Sequence, residues 1–261
     1  MNILDKIIAD KRKEVKLKKS LVPTSQLEQS VLFDRKAQSL SNVLRNSKTG
    51  IIAEHKRRSP SKHTINQNTN VGQVAHGYEN AGVSGMSILT DIKYFGGSLE
   101  DLILARASVE MPLLRKEFII DEYQIIEAKA HGADVILLIA AVLSKTEIKA
   151  LSELAKNLGL DVLLEVHNEK ELHKSIMPSL DMLGVNNRNL KTFEVNLNIS
   201  KKLSEVIPDQ FVKVSESGIS SIDAIKGLKE YGYQGFLIGE NFMKTENPGK
   251  AAKEFITKLE V

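Results

Sequence analysis

The chain is predicted to fold as eight parallel strands, each followed by a helix, closed into one barrel. Three observations carry that prediction. Eight short β-branched or apolar runs recur along the 261 residues: Ile51–Ala53, Met86–Leu89, Pro112–Leu114, Val135–Ile139, Val162–Val166, Met182–Val185, Phe211–Val214 and Phe236–Ile238. Their starts lie roughly 20–35 residues apart, with amphipathic helical pattern between them such as Leu151–Leu158 and Ile222–Lys229, which is the rhythm of repeated βα units. Runs such as Val162–Val166 are apolar on both faces, as expected of a parallel sheet covered by helices outside and filled by side chains inside. The fold class is therefore α/β, a (β/α)8 TIM barrel, with an extra N-terminal helical segment.

Residues 1–261 are expected to make a single TIM-barrel domain, with 1–50 as a helical extension packed on the barrel; 42% hydrophobic content is enough for one large core. In the extension Ile3, Leu4, Ile7 and Ile8 recur at helical spacing, and the lysine-rich stretch from Lys11 to Lys19 reads as a solvated helix face rather than a dock for an anionic partner. The 36 basic and 33 acidic side chains leave a net charge of +3, too balanced for a nucleic-acid binder. With no cysteine, disulfides, thiolate catalysis and sulfur-bound zinc are excluded, and a cytoplasmic location is expected. The first fifteen residues lack the apolar core of a secretory signal, and Val135–Leu143 falls short of the about 20 residues that span a bilayer. No membrane or nucleic-acid partner is expected, and a monomer is.

Residues two apart on a strand share a face, so Ile52, Glu54 and Lys56 point one way, as do Leu163 and Glu165, while Ala53 and Leu164 face the helices. Barrel chemistry is done at the carboxyl ends of the strands, and Glu54, Lys56, Lys116, Glu165, Asn186 and Arg188 all fall there. Buried ionised groups need partners, so two lysines, an arginine and two glutamates around one mouth imply mutual pairing or an anionic ligand in a mostly cationic pocket. Ser217-Gly218 after the seventh strand and Gly239-Glu240 after the eighth each lead into a helical pattern, the usual phosphate site of such a barrel. None of the six histidines has metal-ligand spacing with another, and His55 takes the outward parity of the first strand. His167 shares the inward parity of Glu165 and reads as a side chain acting through a neighbour. Ser59-Pro60-Ser61 reads as a substrate-binding loop rather than a nucleophile, because no His–acid pair is spaced to activate it.

The segment Ile51–Lys62 (IIAEHKRRSPSK) resembles the first-strand signature of the indole-3-glycerol-phosphate synthase family. The resemblance continues in family order through Ser87–Asp91, Tyr94–Ser98, Leu113–Asp121, Leu163–His167, Gly184–Leu190, Ser215–Ile219 and Leu237–Glu240. Three positions depart from the family pattern: His63 stands where glycine is usual, Glu117 where aspartate is, and His55 at a variable, often apolar position.

The resemblance implies a reaction in tryptophan biosynthesis: 1-(o-carboxyphenylamino)-1-deoxyribulose 5-phosphate becomes indole-3-glycerol phosphate, carbon dioxide and water. It implies Lys116 as the general acid at the ketone oxygen, Glu165 as base and Lys56 as acid in dehydration, and Glu54 tuning or sharing those roles, while the sequence leaves open which lysine serves which step. Arg188 and Asn186 would hold the anthranilate carboxylate, with Phe118 and Leu237 against the apolar part. Ser217, Gly218, Gly239 and Glu240 would cradle the phosphate through backbone N–H groups, and Ser59 would close the site. No cofactor and no metal are implied. Three other readings stay open from sequence: a phosphoribosylanthranilate isomerase-like barrel enzyme, a lyase with Lys116 as Schiff-base nucleophile, and a non-catalytic phosphate-ligand binder.

Overall fold

A computed structural model describes residues 3–190 and 192–261; Met1 and Asn2, at the start of the expected extension, and Lys191 lie outside the described residues. Strands β1 (Ile51–His55), β2 (Gly85–Leu89), β3 (Leu113–Lys116), β4 (Val135–Ile139), β5 (Asp161–Val166), β6 (Met182–Asn186), β7 (Val212–Glu216) and β8 (Tyr233–Ile238) pair in sequence order into a closed barrel. Every pairing is parallel, and β8 returns to β1 through the register Ile51 to Phe236.

All eight sequence runs are strands, but four of the strands continue past their apolar stretch into charged or polar residues: His55, Lys116, Asn186 and Glu216 are the last residues of β1, β3, β6 and β7. Ladder hydrogen bonding does not stop where hydrophobicity stops, and this overhang of polar strand ends forms the mouth of the barrel. β8 begins at Tyr233, ahead of the apolar Phe236–Ile238 run, because Tyr233 and Gly235 pair with Lys213 and Val214 of β7 across an irregularity there.

The face parity follows the period of two. Ile52, Leu114, Leu137, Leu163, Met182, Val214 and Leu237 fill the barrel interior, whereas Ala53 and Leu164 join the layer between sheet and helices. Before the barrel come helix α1 (Ile3–Leu21), the short helix α2 (Thr24–Leu27) and helix α3 (Leu40–Asn46). Ser39 caps α3, its side chain accepting from the Asn42 N–H. Leu40 and Leu44 of α3 are fully buried within the interior cluster, so this helix stoppers the barrel end opposite the polar mouth. A methyl group at Gly235 would stand 3.2 Å from Leu44 Cδ1 and 2.8 Å from Val214 Cγ2, so glycine there makes room for the stopper.

Helix α1 buries Ile7, Lys11 and Val15, one stripe at a spacing of four. The lysine-rich face was expected to be solvated, and Lys13 and Lys16 are exposed. Lys11 departs from that expectation: it is 2% exposed, with Nζ 3.0 Å from Asp91, 3.1 Å from Glu117 and 2.8 Å from Glu14. Burial alone would push its pKa down, but Glu117 and Asp91 outweigh burial and raise it. A hydrophobicity pattern cannot distinguish such a lysine from its solvated neighbours, because its partners come from the ends of β2 and β3. Lys18 and Lys19 likewise reach Glu127 at 3.1 Å and Asp121 at 3.0 Å.

Removing one member of a buried ionic group strands the charges left behind, typically at about 3–5 kcal/mol. Lys11→Met is expected to lower stability by that order in urea unfolding, whereas Lys13→Met on the same helix is expected to leave the midpoint unchanged.

Candidate active site

The carboxyl ends of β1, β3, β5, β6 and β7 place Glu54, Lys116, Glu165, Asn186 and Glu216 on the inward face, because each is an even number of residues from an interior position of its strand. Lys56, just beyond β1, continues the same parity. These side chains surround a cavity of about 340 Å³. Every site residue expected from sequence lines it: Glu54, Lys56, Lys116 and Glu165 at its floor, and Ser59, Phe118, Asn186, Arg188, Ser217, Gly218, Leu237, Gly239 and Glu240 around them.

Lys116 is the hub. Its Nζ lies 2.9 Å from Glu216 Oε2, 3.8 Å from Glu165 Oε2 and 4.0 Å from Glu54 Oε2. Lys56 Nζ donates to the other oxygen of Glu54 at 2.5 Å. A mostly cationic pocket was expected, but the inner ring sets three carboxylates, Glu54, Glu165 and Glu216, against two ammonium groups. Glu216 is the functional side chain that sequence reasoning missed. The available signal was parity, since Val212, Val214 and Glu216 alternate on one face of β7. Gly184 on the neighbouring strand makes room for it: a Cβ there would stand 2.3 Å from Glu216 Oε1.

Electrostatics follow from this packing. Burial works against the Lys116 ammonium, but Glu216, Glu54 and Glu165 together raise its pKa, so it is firmly charged. Burial would raise Glu54, and Lys56 and Lys116 reverse that, leaving it below the ordinary carboxylate value. Glu216 goes the other way: burial and the neighbouring carboxylates Glu165 and Glu54 push it up to about 7, despite Lys116. One ring therefore holds a permanent acid, a permanent carboxylate and a group that titrates near neutrality.

The outer positions supply shape and anion-binding groups. Ser217 and Gly218 both have positive φ, 68° and 80°, which turns the chain sharply at the end of β7. That conformation costs Ser217 energy and recurs at ligand sites. Helix Ile222–Lys229 begins after Ser221, so three residues, Ile219 to Ser221, separate it from the Ser217-Gly218 turn. Gly239 precedes the short helix Glu240–Met243 directly. Phe118 packs on Phe95 with ring centroids 5.9 Å apart, making an aromatic wall. Arg188 is half-buried and donates to the Phe193 carbonyl at 3.0 Å. Ile3, Leu4 and Ile7 of α1 roof the cavity, a contribution the sequence pattern did not reveal.

His55 is buried behind β1, where burial and Arg57 lower its pKa to about 4, so it is neutral. Among the described residues no group of His, Asp or Glu side chains is arranged to hold a metal ion, and no helix is long and apolar enough to cross a membrane.

A sequence profile described as "Indole-3-glycerol phosphate synthase" matches residues 4–255. The chain belongs to that family. It is 47% identical over 259 residues to the indole-3-glycerol phosphate synthase of Bacteroides thetaiotaomicron, covering 99% of both chains. It is 42% identical over 253 residues to the enzyme of the same name from Campylobacter fetus, covering 97% of this chain and 98% of the relative. Solved structures at lower identity share the fold: thiamine phosphate pyrophosphorylase from Pyrococcus furiosus (TM-score 0.61, 18% identity, 85% of this chain and 98% of that one) and the tryptophan synthase α subunit from Legionella pneumophila (TM-score 0.61, 13% identity, 84% and 96%).

Two departures from the family pattern have visible consequences. Glu117 accepts from Thr90 Oγ1 at 2.8 Å and from the Phe118 N–H at 2.8 Å while reaching Lys11 on α1. His63 is exposed and falls just after the turn in which Ser59 and Lys62 exchange backbone hydrogen bonds. That turn is tethered across the mouth by Lys62 to Glu240 at 2.7 Å.

A carboxyl raised from 4.5 to about 7 favours the folded state below its unfolded value and loses that contribution as pH rises through the folded one. Isotope-edited infrared titration is expected to show one carboxyl with a midpoint near neutrality, absent in Glu216→Gln. The variant's unfolding free energy is expected to lose the part of its pH dependence that falls between those two values.

Proposed function

We propose that the chain closes the indole ring of 1-(o-carboxyphenylamino)-1-deoxyribulose 5-phosphate, releasing carbon dioxide and water, with Lys116 as the general acid. The observation that carries the reading is the position of Lys116 Nζ, within 4.0 Å of Glu216, Glu165 and Glu54 at the floor of the cavity.

Ring closure joins the aryl carbon bearing the carboxylate to the ketone carbon, and the developing alkoxide must be protonated. An ammonium held charged by surrounding carboxylates is always loaded for that step. The same observation argues against a Schiff base on Lys116, which needs the neutral amine as nucleophile. Loss of carbon dioxide restores the aromatic ring. Dehydration then expels the hydroxyl as water, with Lys56 supplying a proton and Glu165 accepting one; Glu54, bound to Lys56 and close to Lys116, links the two acids. Two protons go in and one comes out, so each turnover draws one net proton from solvent, balancing the charge of the lost carboxylate.

Arg188 offers its planar fork to the anthranilate carboxylate beside Asn186, and Phe118 and Leu237 pack on the ring. The phosphate sits against the backbone N–H groups of the Ser217-Gly218 turn and of Gly239-Glu240, with Ser59 closing over it. Glu240 contributes only its N–H, since its carboxylate is turned to Lys62. An isomerase acting on the preceding metabolite has no use for two strand-end lysines on this ring, and family membership supports the synthase instead. The reading carries with it a monomeric protein working in the cytoplasm.

Protein stripped of metal by a chelator is expected to convert the substrate to a fluorescent indole; no product would reject the proposal. Lys116→Ala is expected to lose ring closure by about 10²–10⁴-fold, the range for a general acid. Glu165→Gln is expected to impair dehydration chiefly, with an intermediate accumulating in rapid-quench samples, and normal turnover in both variants would defeat the assignment.

A further inference from the structure

One half-buried titratable side chain is aimed at this ring and has no task in the reaction described above. His167 follows the end of β5, two residues beyond Glu165, and its Nε2 lies 3.4 Å from Glu165 Oε1. That nitrogen has no hydrogen-bond partner, so its contact with Glu165 is one of charge and proximity. On the far side of the imidazole, Nδ1 lies 3.1 Å from Glu171 Oε2. Glu171 is itself fixed, accepting from the His167 N–H at 2.8 Å and from Asn168 Nδ2 at 2.7 Å. The other oxygen of Glu165 is the one 3.8 Å from Lys116.

We propose that His167 is a positioning residue for Glu165: anchored by Glu171, its ring holds one carboxylate oxygen so that the other is turned towards Lys116. The proposal rests on Glu165 being the base of the dehydration step. Only the doubly protonated ring offers a donor to both carboxylates; either neutral tautomer would set a lone pair against one of them. Burial opposes that charge, whereas Glu171 and Glu165, with Glu216 on β7 adding to them, raise the His167 pKa above its ordinary value. Lys116 acts on this chain of groups from the far side of Glu165. A role limited to capping the helix Glu169–Ser175 does not account for the arrangement, because Asn168 already caps it, its Oδ1 accepting from the Glu171 N–H at 2.9 Å. The chain carboxylate–imidazole–carboxylate repeats the logic by which a buried acid orients a histidine and the histidine orients the reacting group.

The test has a kinetic and a spectroscopic arm. His167→Asn is expected to lower kcat about tenfold with KM held within about twofold, in the range for groups that orient a reacting side chain. Losing a cation beside Glu165 should also move the acid limb of the kcat profile up by about one pH unit. Glu171→Gln, which removes only the anchor, is expected to act in the same direction less strongly, and covers the case in which the first variant does not fold. Unchanged kcat, or a loss carried by KM with an unmoved acid limb, would overturn the proposal. In the second arm, nitrogen-15 NMR follows the His167 ring, assigned by its absence in His167→Asn. Its titration midpoint is expected to fall by about one unit in Glu165→Gln. An unchanged midpoint overturns the proposal whether or not the protein turns over the substrate, whereas a shifted midpoint in a protein without turnover would sink the proposed reaction and leave the pairing standing.

Discussion

Charge cannot be buried alone, and that single constraint organises the catalytic end of this barrel. The sheet puts polar strand ends into a space lined by Leu137, Ile139 and Leu237, where an isolated ammonium or carboxylate would be neutralised rather than tolerated. The solution is reciprocal: Lys116 is stabilised by Glu216, Glu165 and Glu54, and Glu54 by the two lysines. Because each charge leans on the others, the ring has no independent members. A proton moved at one position is felt at all of them, which suits chemistry that loads and unloads protons more than once per cycle.

The same constraint reaches outside the ring. Arg115, next to Lys116 but on the opposite face of β3, is buried against Glu127 at 2.6 Å. Glu117, one residue further on, is matched to Lys11. Three successive charged residues thus point outside, inside and sideways, and each finds a counter-ion. The N-terminal helix is held by this arrangement as much as by its apolar stripe, so the accessory helix and β3 share one electrostatic unit.

Much of this was legible in the sequence. Period-two parity and the spacing of apolar runs determine the eight strands, their inward faces and the end at which the charges gather. The family signature then singles out residues that all come to line one cavity. What escaped was information carried by partners distant in sequence. Glu216 looks like an ordinary strand end until Lys116, a hundred residues earlier, is seen to donate to it. Lys11 looks solvated until β2 and β3 supply Asp91 and Glu117. Tyr233 and Gly235 lie ahead of the apolar run and enter β8 through pairing with β7, which apolar pattern alone does not report. Composition and periodicity report which face a residue takes; they do not report what waits on the other side.

The leucine stopper formed by Leu40 and Leu44 has an outcome for traffic. With the interior filled by side chains and the opposite end sealed, the barrel offers no through-passage, so reactant enters and every released molecule departs by a single doorway. In the proposed reaction the departing indole-3-glycerol phosphate carries the same phosphate as the incoming substrate. The two must therefore take turns at one threshold.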